Sequence, residues 1–168
     1  MPSGSATPPP PLTAGSFDDR GNATVRVAVF GAVEQTKKEF EAIIDTGFTG
    51  FLSMPMVSAF PLALILFGTT SVMLADGSTQ PRLTALGTVQ IGNESQVGVI
   101  VLEPVGKDVL IGMDLLRKFR RALFVSASGV ALISEDAVTF LLSEAQKAIT
   151  QQPAPSTPMA PDPPPPSS

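Results

Sequence analysis

One aspartate stands out among the residues of this sequence that could carry chemistry. The chain contains no histidine and no cysteine, which excludes Ser-His and Cys-His catalysis, thiol redox chemistry, disulfides and structural zinc sites. Acid–base chemistry must therefore come from carboxylates, lysine or bound water. Asp45 follows two β-branched residues, Ile43 and Ile44, and precedes Thr46 and Gly47. This run predicts a carboxylate at the end of a buried strand.

The Asp-Thr-Gly motif has two interpretations. It is weak evidence alone, because it occurs by chance in roughly a few per cent of chains of this length. Asp and Gly are also common in surface turns. The preceding strand favours a functional role. A buried carboxylate lowers the stability of a fold, so it is normally paired with another group or kept for a function. From the residues alone, both interpretations stay open.

The composition predicts one folded domain between two proline-rich tails. Thirteen of the 17 prolines lie in residues 2–11 and 153–166. Such segments contain too few large apolar groups to offset the entropy of ordering. We therefore expect disordered tails over residues 1–15 and 150–168, a domain over residues 16–134 and a helical extension over residues 135–149.

The charge and the absence of a targeting signal predict a cytoplasmic protein. A formal net charge of −4 argues against general affinity for nucleic acid or anionic membrane. The N-terminus lacks the basic-then-apolar order of a secretory peptide, and the most apolar run, residues 61–67, is too short to cross a bilayer. The basic cluster within residues 117–121 is predicted to be a solvated helix face and not a nucleic-acid site.

Apolar periodicity predicts a mainly β protein with many short strands. Strands are predicted at Ala23–Phe30, Glu39–Ile44, Phe51–Met54, Thr84–Ile91, Gln96–Leu102, Asp108–Gly112, Ala122–Val125 and Val130–Ile133. The Asp76-Gly77 pair predicts the tight turn of a further hairpin. Short helices are predicted over Met56–Phe67 and Asp114–Arg121.

A last helix is predicted after Ser134, which could cap its first turn. Its apolar residues fall on one face at helical spacing, and they are Val138, Leu141, Leu142, Ala145 and Ile149. We expect this face to pack on the helix's own domain, with binding to a partner as the alternative.

Four features occur in the order found in the retropepsin-like aspartic proteases, the family of the retroviral proteases and their cellular relatives. They are the motif Ile43–Gly47, the strand Phe51–Ser53, the hairpin Val72–Arg82 and the apolar run Leu110–Leu116. The sequence resembles this single-domain family over roughly residues 16 to 134, and its Asp-Thr-Gly-Phe-Thr-Gly run is similar to that of a prokaryotic subgroup. The resemblance implies a retropepsin-like closed β barrel with a flap hairpin and one or two short helices, active only as an obligate homodimer.

The resemblance also implies an aspartic endopeptidase that uses no cofactor and no metal. Asp45 is the expected catalytic residue, and since the chain carries one such motif, a homodimer must supply the second copy. Two such carboxyl groups share one proton, so one activates water while the other polarises the scissile carbonyl. The expected supporting residues are Thr46, Gly47, Ile111 and Gly112. The expected contacts to an extended protein or peptide substrate are Ala75, Asp76, Gly77 and Ser78 of the flap, and Phe48.

Phe48 departs from the retroviral pattern, in which a small residue follows the motif. We expect its ring to narrow the cleft or fill a specificity pocket. The main alternative to a protease is a non-catalytic retropepsin-like module that binds a peptide or assembles a complex. A monomer in solution would favour that alternative, because half a site cannot perform the chemistry. An unrelated β barrel with an accidental motif is a weaker third interpretation.

Overall fold

Ten strands form one continuous sheet in the computed structural model, which describes residues 12–73 and 76–150. The strands are β1 Leu12–Phe17, β2 Ala23–Phe30, β3 Lys38–Ile44, β4 Leu52–Pro55, β5 Ile65–Met73, β6 Thr79–Ile91, β7 Glu94–Glu103, β8 Val109–Ile111, β9 Arg121–Ser126 and β10 Gly129–Ser134. Their order in the sheet is β5-β6-β7-β4-β8-β3-β2-β1-β10-β9. A further pairing of β6 with β2 closes the strands from β6 to β2 into a barrel. The predicted mainly β, closed-barrel architecture is confirmed.

The barrel core follows from the period-two pattern of its strands. In β2, Val25, Val27 and Val29 are at most 1% exposed, whereas Arg26 between them is exposed. This alternation places one apolar face inward. The helix α2, Met113–Lys118, adds Leu115 and Leu116 to the same core. The core therefore joins the barrel and α2 in one rigid unit.

The helix predicted over Met56–Phe67 is shorter in the structure. The helix α1 spans Met56–Ala59 and continues as a 3₁₀ turn over Phe60–Leu62. Ala63 then adopts a positive φ of 51°, which ends the helical path. The prediction is wrong for Ile65–Phe67, which belong to β5. These apolar residues are extended because they pair with β6. A short apolar run fits a helix or a strand equally well, so the sequence did not predict this pairing.

β1 corrects the predicted N-terminal boundary. Leu12–Gly15 pair with β10, and Ser16 and Phe17 pair with β2. The prediction of a disordered tail over residues 1–15 is therefore wrong for residues 12–15. Residues 1–11 lie outside the described part of the chain, as do residues 151–168 of the predicted C-terminal tail. Thr150, also assigned to that tail, is the last residue of the final helix.

That final helix, α3, spans Glu135–Thr150 and confirms the predicted helical extension. Its cap is also confirmed, because Ser134 Oγ accepts a hydrogen bond from the Ala137 N–H at 3.2 Å. The expectation that its apolar face packs on its own domain is wrong. Leu142 is 65% exposed and Ile149 is 72% exposed. No helix in the described ranges is long and apolar enough to cross a membrane.

A network of polar side chains connects the turn between β1 and β2 to the start of β8. Asp18 accepts hydrogen bonds from the side chain and backbone of Asn22 and from Arg20. Arg20 also makes two bonds of 3.1 Å to Asp108, which directly precedes β8. The Asn22 side chain, with the backbone N–H groups and Arg20, lowers the pKa of Asp18 to about 2. The network therefore favours ionised Asp18 in the folded protein.

This network predicts a pH-dependent contribution to stability. The pKa of Asp18 lies below its usual 3.8, so the contribution is present above that value and is lost as pH falls from about 4 to about 2. Compared with Asp18→Ala, the wild-type chain should therefore have a higher Tm at pH 5, and the difference should shrink toward pH 2. Thermal unfolding across this range measures it. Asp19→Ala, which removes an exposed neighbouring carboxylate outside this hydrogen-bond network, is the control, and a constant Asp18 difference would contradict the prediction.

Candidate active site

Asp45 lies directly after β3, at the point where the chain leaves the barrel. Its backbone N–H donates to the Ile111 carbonyl at 2.9 Å, and its own carbonyl accepts from Phe48 N–H at 3.1 Å. The carboxylate is half-buried, and Oδ1 accepts a hydrogen bond from Gly47 N–H at 2.9 Å. Within residues 12–73 and 76–150, no recorded hydrogen bond reaches Oδ2. The loop therefore orients one carboxylate oxygen and leaves the other available.

Ile111 and Gly112 hold this loop from behind. Ile111 is fully buried between Ile44 of β3 and Leu52 of β4, its register partners on either side. Gly112 N–H donates to the Phe51 carbonyl at 3.1 Å. The next two N–H groups, at the start of α2, donate to the carbonyls of Phe48 and Gly50 at 2.9 and 3.1 Å. The structure thus brings Asp45, Gly47, Ile111 and Gly112 together as one hydrogen-bonded unit.

Glycine is required at Gly112 because the loop passes directly over it. A Cβ there would lie 2.1 Å from the Gly50 carbonyl oxygen and 2.8 Å from that of Phe48. The φ of Gly112 is −100°, which any residue can adopt, so the requirement is steric. At Gly47 the space is less restricted, since a Cβ would meet only Asp45 Oδ1, at 3.2 Å. Glycine at position 112 is therefore required for the fold of the loop. Glycine at position 47 keeps space open beside the carboxylate.

The Phe48 ring lies against Gly50 and Gly112. A Cβ at Gly50 would be 2.4 Å from its Cζ, and a Cβ at Gly112 would be 2.7 Å from its Cδ1. The side chain is half-buried, so part of the ring remains accessible. The ring therefore covers the base of the aspartate loop. Its predicted contact with substrate remains a prediction. Thr46 is exposed beside it, and its supporting role likewise remains a prediction.

The flap predicted at residues 72–82 is the tip of a longer hairpin. β5 and β6 pair from Ile65↔Leu86 to Met73↔Thr79, whereas β6 pairs with β7 only up to Leu83. The hairpin therefore projects beyond the barrel from Leu83 outward. Its described residues beyond that point are exposed, apart from the partly buried Val72 and Arg82. This projection is the geometry expected of a flap.

Asp76 orders the described part of the flap tip. Its Oδ1 accepts the Ser78 backbone N–H at 2.8 Å and the Ser78 hydroxyl at 2.6 Å, while Gly77 has a φ of +80°. The Ser78 hydroxyl, followed by its N–H, lowers the pKa of Asp76 below its usual value. The lowered pKa favours the ionised carboxylate, the form that accepts both hydrogen bonds from Ser78. Ala75, the remaining predicted tip residue, lies outside the described residues.

An ion pair at the root of the flap was not predicted from the sequence. Arg82 Nε lies 2.7 Å from Glu103 Oε2, and the Arg82 side chain is only 12% exposed. Arg82 also donates to Gln80 Oε1 at 2.8 Å. Because β7 ends at Glu103, the pair sits where the hairpin leaves the body. The two-residue turn Gly92–Asn93 sets the register of β6 with β7 and so places Arg82 opposite Glu103, and this turn is the sequence signal that could have located the pair.

Comparisons with known proteins agree with this geometry. Residues 32–118 match the sequence model of the family described as "gag-polyprotein putative aspartyl protease". Among solved structures, the chain is similar to the EIAV protease complexed with the inhibitor HBY-793, with a TM-score of 0.52 and 12% identity over 66% of this chain and 99% of that one. It is also similar to a retropepsin-like aspartic protease from Rickettsia conorii, with a TM-score of 0.52 and 18% identity over 74% of this chain and 91% of that one. No curated protein matches the chain.

The two kinds of likeness support different statements. At these identities the solved structures show the fold alone, a retropepsin-like barrel. The matched family region contains the Asp45 loop, the flap hairpin, β8 and α2, and it covers more than half of the 168 residues. The chain therefore belongs to the gag-polyprotein aspartyl protease family, with a retropepsin-like fold.

Proposed function

We propose that two copies of this chain form an aspartic endopeptidase in which each contributes Asp45. The observation that carries the proposal is the Asp45 loop at the barrel edge, where Gly47 N–H donates to the half-buried carboxylate and the Ile111 carbonyl accepts the Asp45 backbone N–H. Each chain contains a single Asp-Thr-Gly motif. A dyad therefore requires a second copy, related to the first by a two-fold axis.

In the proposed reaction the two carboxyl groups share one proton. The ionised group removes a proton from water as the water oxygen forms a bond to the scissile carbonyl carbon. The protonated group donates to the carbonyl oxygen, which becomes a hydroxyl group of the tetrahedral intermediate. Collapse of the intermediate breaks the C–N bond, with a proton passing to the leaving amine. The products are a carboxylic acid and an amine, so no cofactor or metal is needed.

The surrounding residues have defined roles in this proposal. Thr46 bonds across the two-fold axis and keeps the paired loops rigid, and Gly47 leaves space for the substrate backbone. The flap tip, Ala75–Ser78, closes over an extended peptide and excludes water. Phe48 borders the cleft and selects among substrate side chains. The geometry of the Gly47–Asp45 bond and the projection of the hairpin support these roles.

The proposal is tested by the concentration dependence of proteolysis. Cleavage of an unfolded protein should be followed from acid to neutral pH over a range of chain concentrations. Below the dimer Kd the rate per chain should rise in proportion to concentration, because only dimers contain a complete dyad. Above the Kd it should become constant, and sedimentation should place both regimes on the monomer–dimer equilibrium.

Two outcomes would contradict the proposal. Proteolysis by chains that sediment as monomers would show that a dyad of two Asp45 residues is unnecessary. Absence of proteolysis from a confirmed dimer across the pH range would favour the non-catalytic peptide-binding or assembly module.

A further inference from the structure

Among residues 12–73 and 76–150, the contacts between α3 and the rest of the protein are made by its first turn. Ala137 is 2% exposed, and Arg120 pairs with Glu135 and Asp136 at 3.2 and 3.3 Å. Val138 is half-buried, and every residue from 139 to 150 is exposed. The last three turns of α3 therefore project away from the other described residues without packing on them.

From the half-buried Val138 outward, α3 carries an apolar stripe with the spacing of a helix–helix interface. Val138, Leu142, Ala145 and Ile149 follow one another at intervals of four, three and four residues, which is the a/d pattern of a heptad. Leu141 borders the stripe. An isolated helix of this length is marginal in water, so most of its stability must come from burying such a face. The stripe therefore needs a partner helix.

The stripe is complementary to itself in the antiparallel direction. When two copies are aligned about the midpoint between residues 142 and 145, Leu142 of each copy lies opposite Ala145 of the other. Val138 then lies opposite Ile149. Large residues meet small or medium ones at every level, which is the arrangement that interdigitates best. An antiparallel pair also aligns the two helix dipoles favourably.

The root of α3 lies close to the elements that position Asp45. Glu135 N–H donates to the Arg120 carbonyl at 3.0 Å, just beyond the end of α2. The start of α2 donates to the carbonyls of Phe48 and Gly50 in the Asp45 loop. Its six residues span about 9 Å, so one short helix separates the first turn of α3 from the Asp45 loop.

We infer that α3 pairs antiparallel with α3 of a second copy of this chain, on the two-fold axis that brings the two Asp45 residues together. The inference rests on the proposed function for that shared axis, whereas the stripe itself stands on its own exposure and spacing. Residues 135–150 lie beyond the region matched by the family, 32–118, so this contact is an addition to the matched region.

The first test compares Leu142→Glu with Ser143→Glu. Both positions are exposed and carry no contact that holds the body, but Ser143 lies off the stripe, at about 100° from Leu142 around the helix. Each copy contributes one residue 142, so the Leu142→Glu dimer would bury two charges. The dimer Kd of this variant should therefore rise about 100-fold or more. Sedimentation velocity measures the Kd, and circular dichroism with thermal unfolding checks that both variants fold.

A second test reads the direction of the pair. The chain contains no cysteine, so cysteines introduced singly report only on their own position. An oxidised mixture of Leu142→Cys and Ala145→Cys chains should form a mixed disulfide in preference to either homodimer, since facing positions come within bonding range. A preference for 142–142 and 145–145 cross-links would overturn the antiparallel register.

The outcomes separate this inference from the proposed function. If the wild-type dimer dissociates on Leu142→Glu but never cleaves protein, the α3 pair stands and the proposed function fails. If Leu142→Glu keeps the wild-type Kd, the α3 pair is overturned, whatever the protease assay shows. If Leu142→Glu is inactive at low concentration and regains activity above its raised Kd, the pair is supported as the device that completes the dyad.

Discussion

Asp45→Asn is expected to reduce kcat for protein cleavage by about 10³-fold or more while leaving the dimer intact. The amide oxygen of asparagine can still accept the Gly47 N–H, which holds Asp45 Oδ1 at 2.9 Å, so the loop should keep its conformation. An amide cannot remove a proton from water, and by symmetry both copies in the dimer lose this ability. General acid–base catalysis contributes about 10²–10⁴-fold, and we expect the upper part of that range. Initial rates on an unfolded substrate, at matched dimer content by sedimentation, measure the effect.

A mixing experiment makes this prediction specific to a shared dyad. Adding an equal amount of the Asp45→Asn chain to wild-type chain should lower the rate to about half, because about half of the wild-type chains then lie in mixed dimers. Asp19→Asn makes the same chemical change at an exposed site and keeps the dyad intact, so adding an equal amount of it should raise the rate to about twice that of wild type alone. Equal activity in wild type and purified Asp45→Asn would assign the cleavage to a contaminant and remove Asp45 from the chemistry.

The sequence predicted those parts of the fold whose signal is local. The strands β2, β3 and β7 were predicted within two residues of their bounds, because alternation and turn residues mark both ends. β1 was missed, since its six residues follow a proline-rich segment and four of them pair with β10, more than 100 residues away. The apolar run at the start of β5 was assigned to a helix for a related reason. Long-range pairing overrode a local pattern in both cases.

The candidate site was predictable for the aspartate loop and less so for its surroundings. Asp45, Gly47, Ile111 and Gly112 come together as the resemblance implied, because β3 and β8 lie side by side and end together. The Arg82–Glu103 pair depends on the register of β6 with β7, which is set by the turn at Gly92–Asn93 and not by any pattern at the two charged residues themselves. The exposed face of α3 was assigned to the interior because helical spacing alone does not say what covers an apolar stripe.

Gly112→Ala is expected to lower the free energy of unfolding by about 3 kcal/mol and to abolish proteolysis with it. The added Cβ would lie 2.1 Å from the Gly50 carbonyl oxygen, and that carbonyl is already held by the Asp114 N–H at 3.1 Å. The loop cannot move away without breaking the hydrogen bonds that join it to α2. Overpacking a tight site costs about 1–3 kcal/mol, and a backbone obstacle places this substitution at the upper end. Denaturant unfolding and cleavage rate should be measured together.

Two matched substitutions show whether the backbone or a side chain is responsible. Phe48→Leu in the Gly112→Ala background removes the aromatic contact at 2.7 Å but leaves the carbonyl contact, so it should not restore stability. Gly47→Ala places its Cβ only against Asp45 Oδ1, and it should lower activity with little change in the free energy of unfolding. Recovery of stability by Phe48→Leu would mean that the ring, and not the loop backbone, requires glycine at position 112. The Asp45 loop would then be less firmly supported by α2 than its hydrogen bonds indicate, and the rigidity required of a paired dyad would have to come from contacts between the two copies.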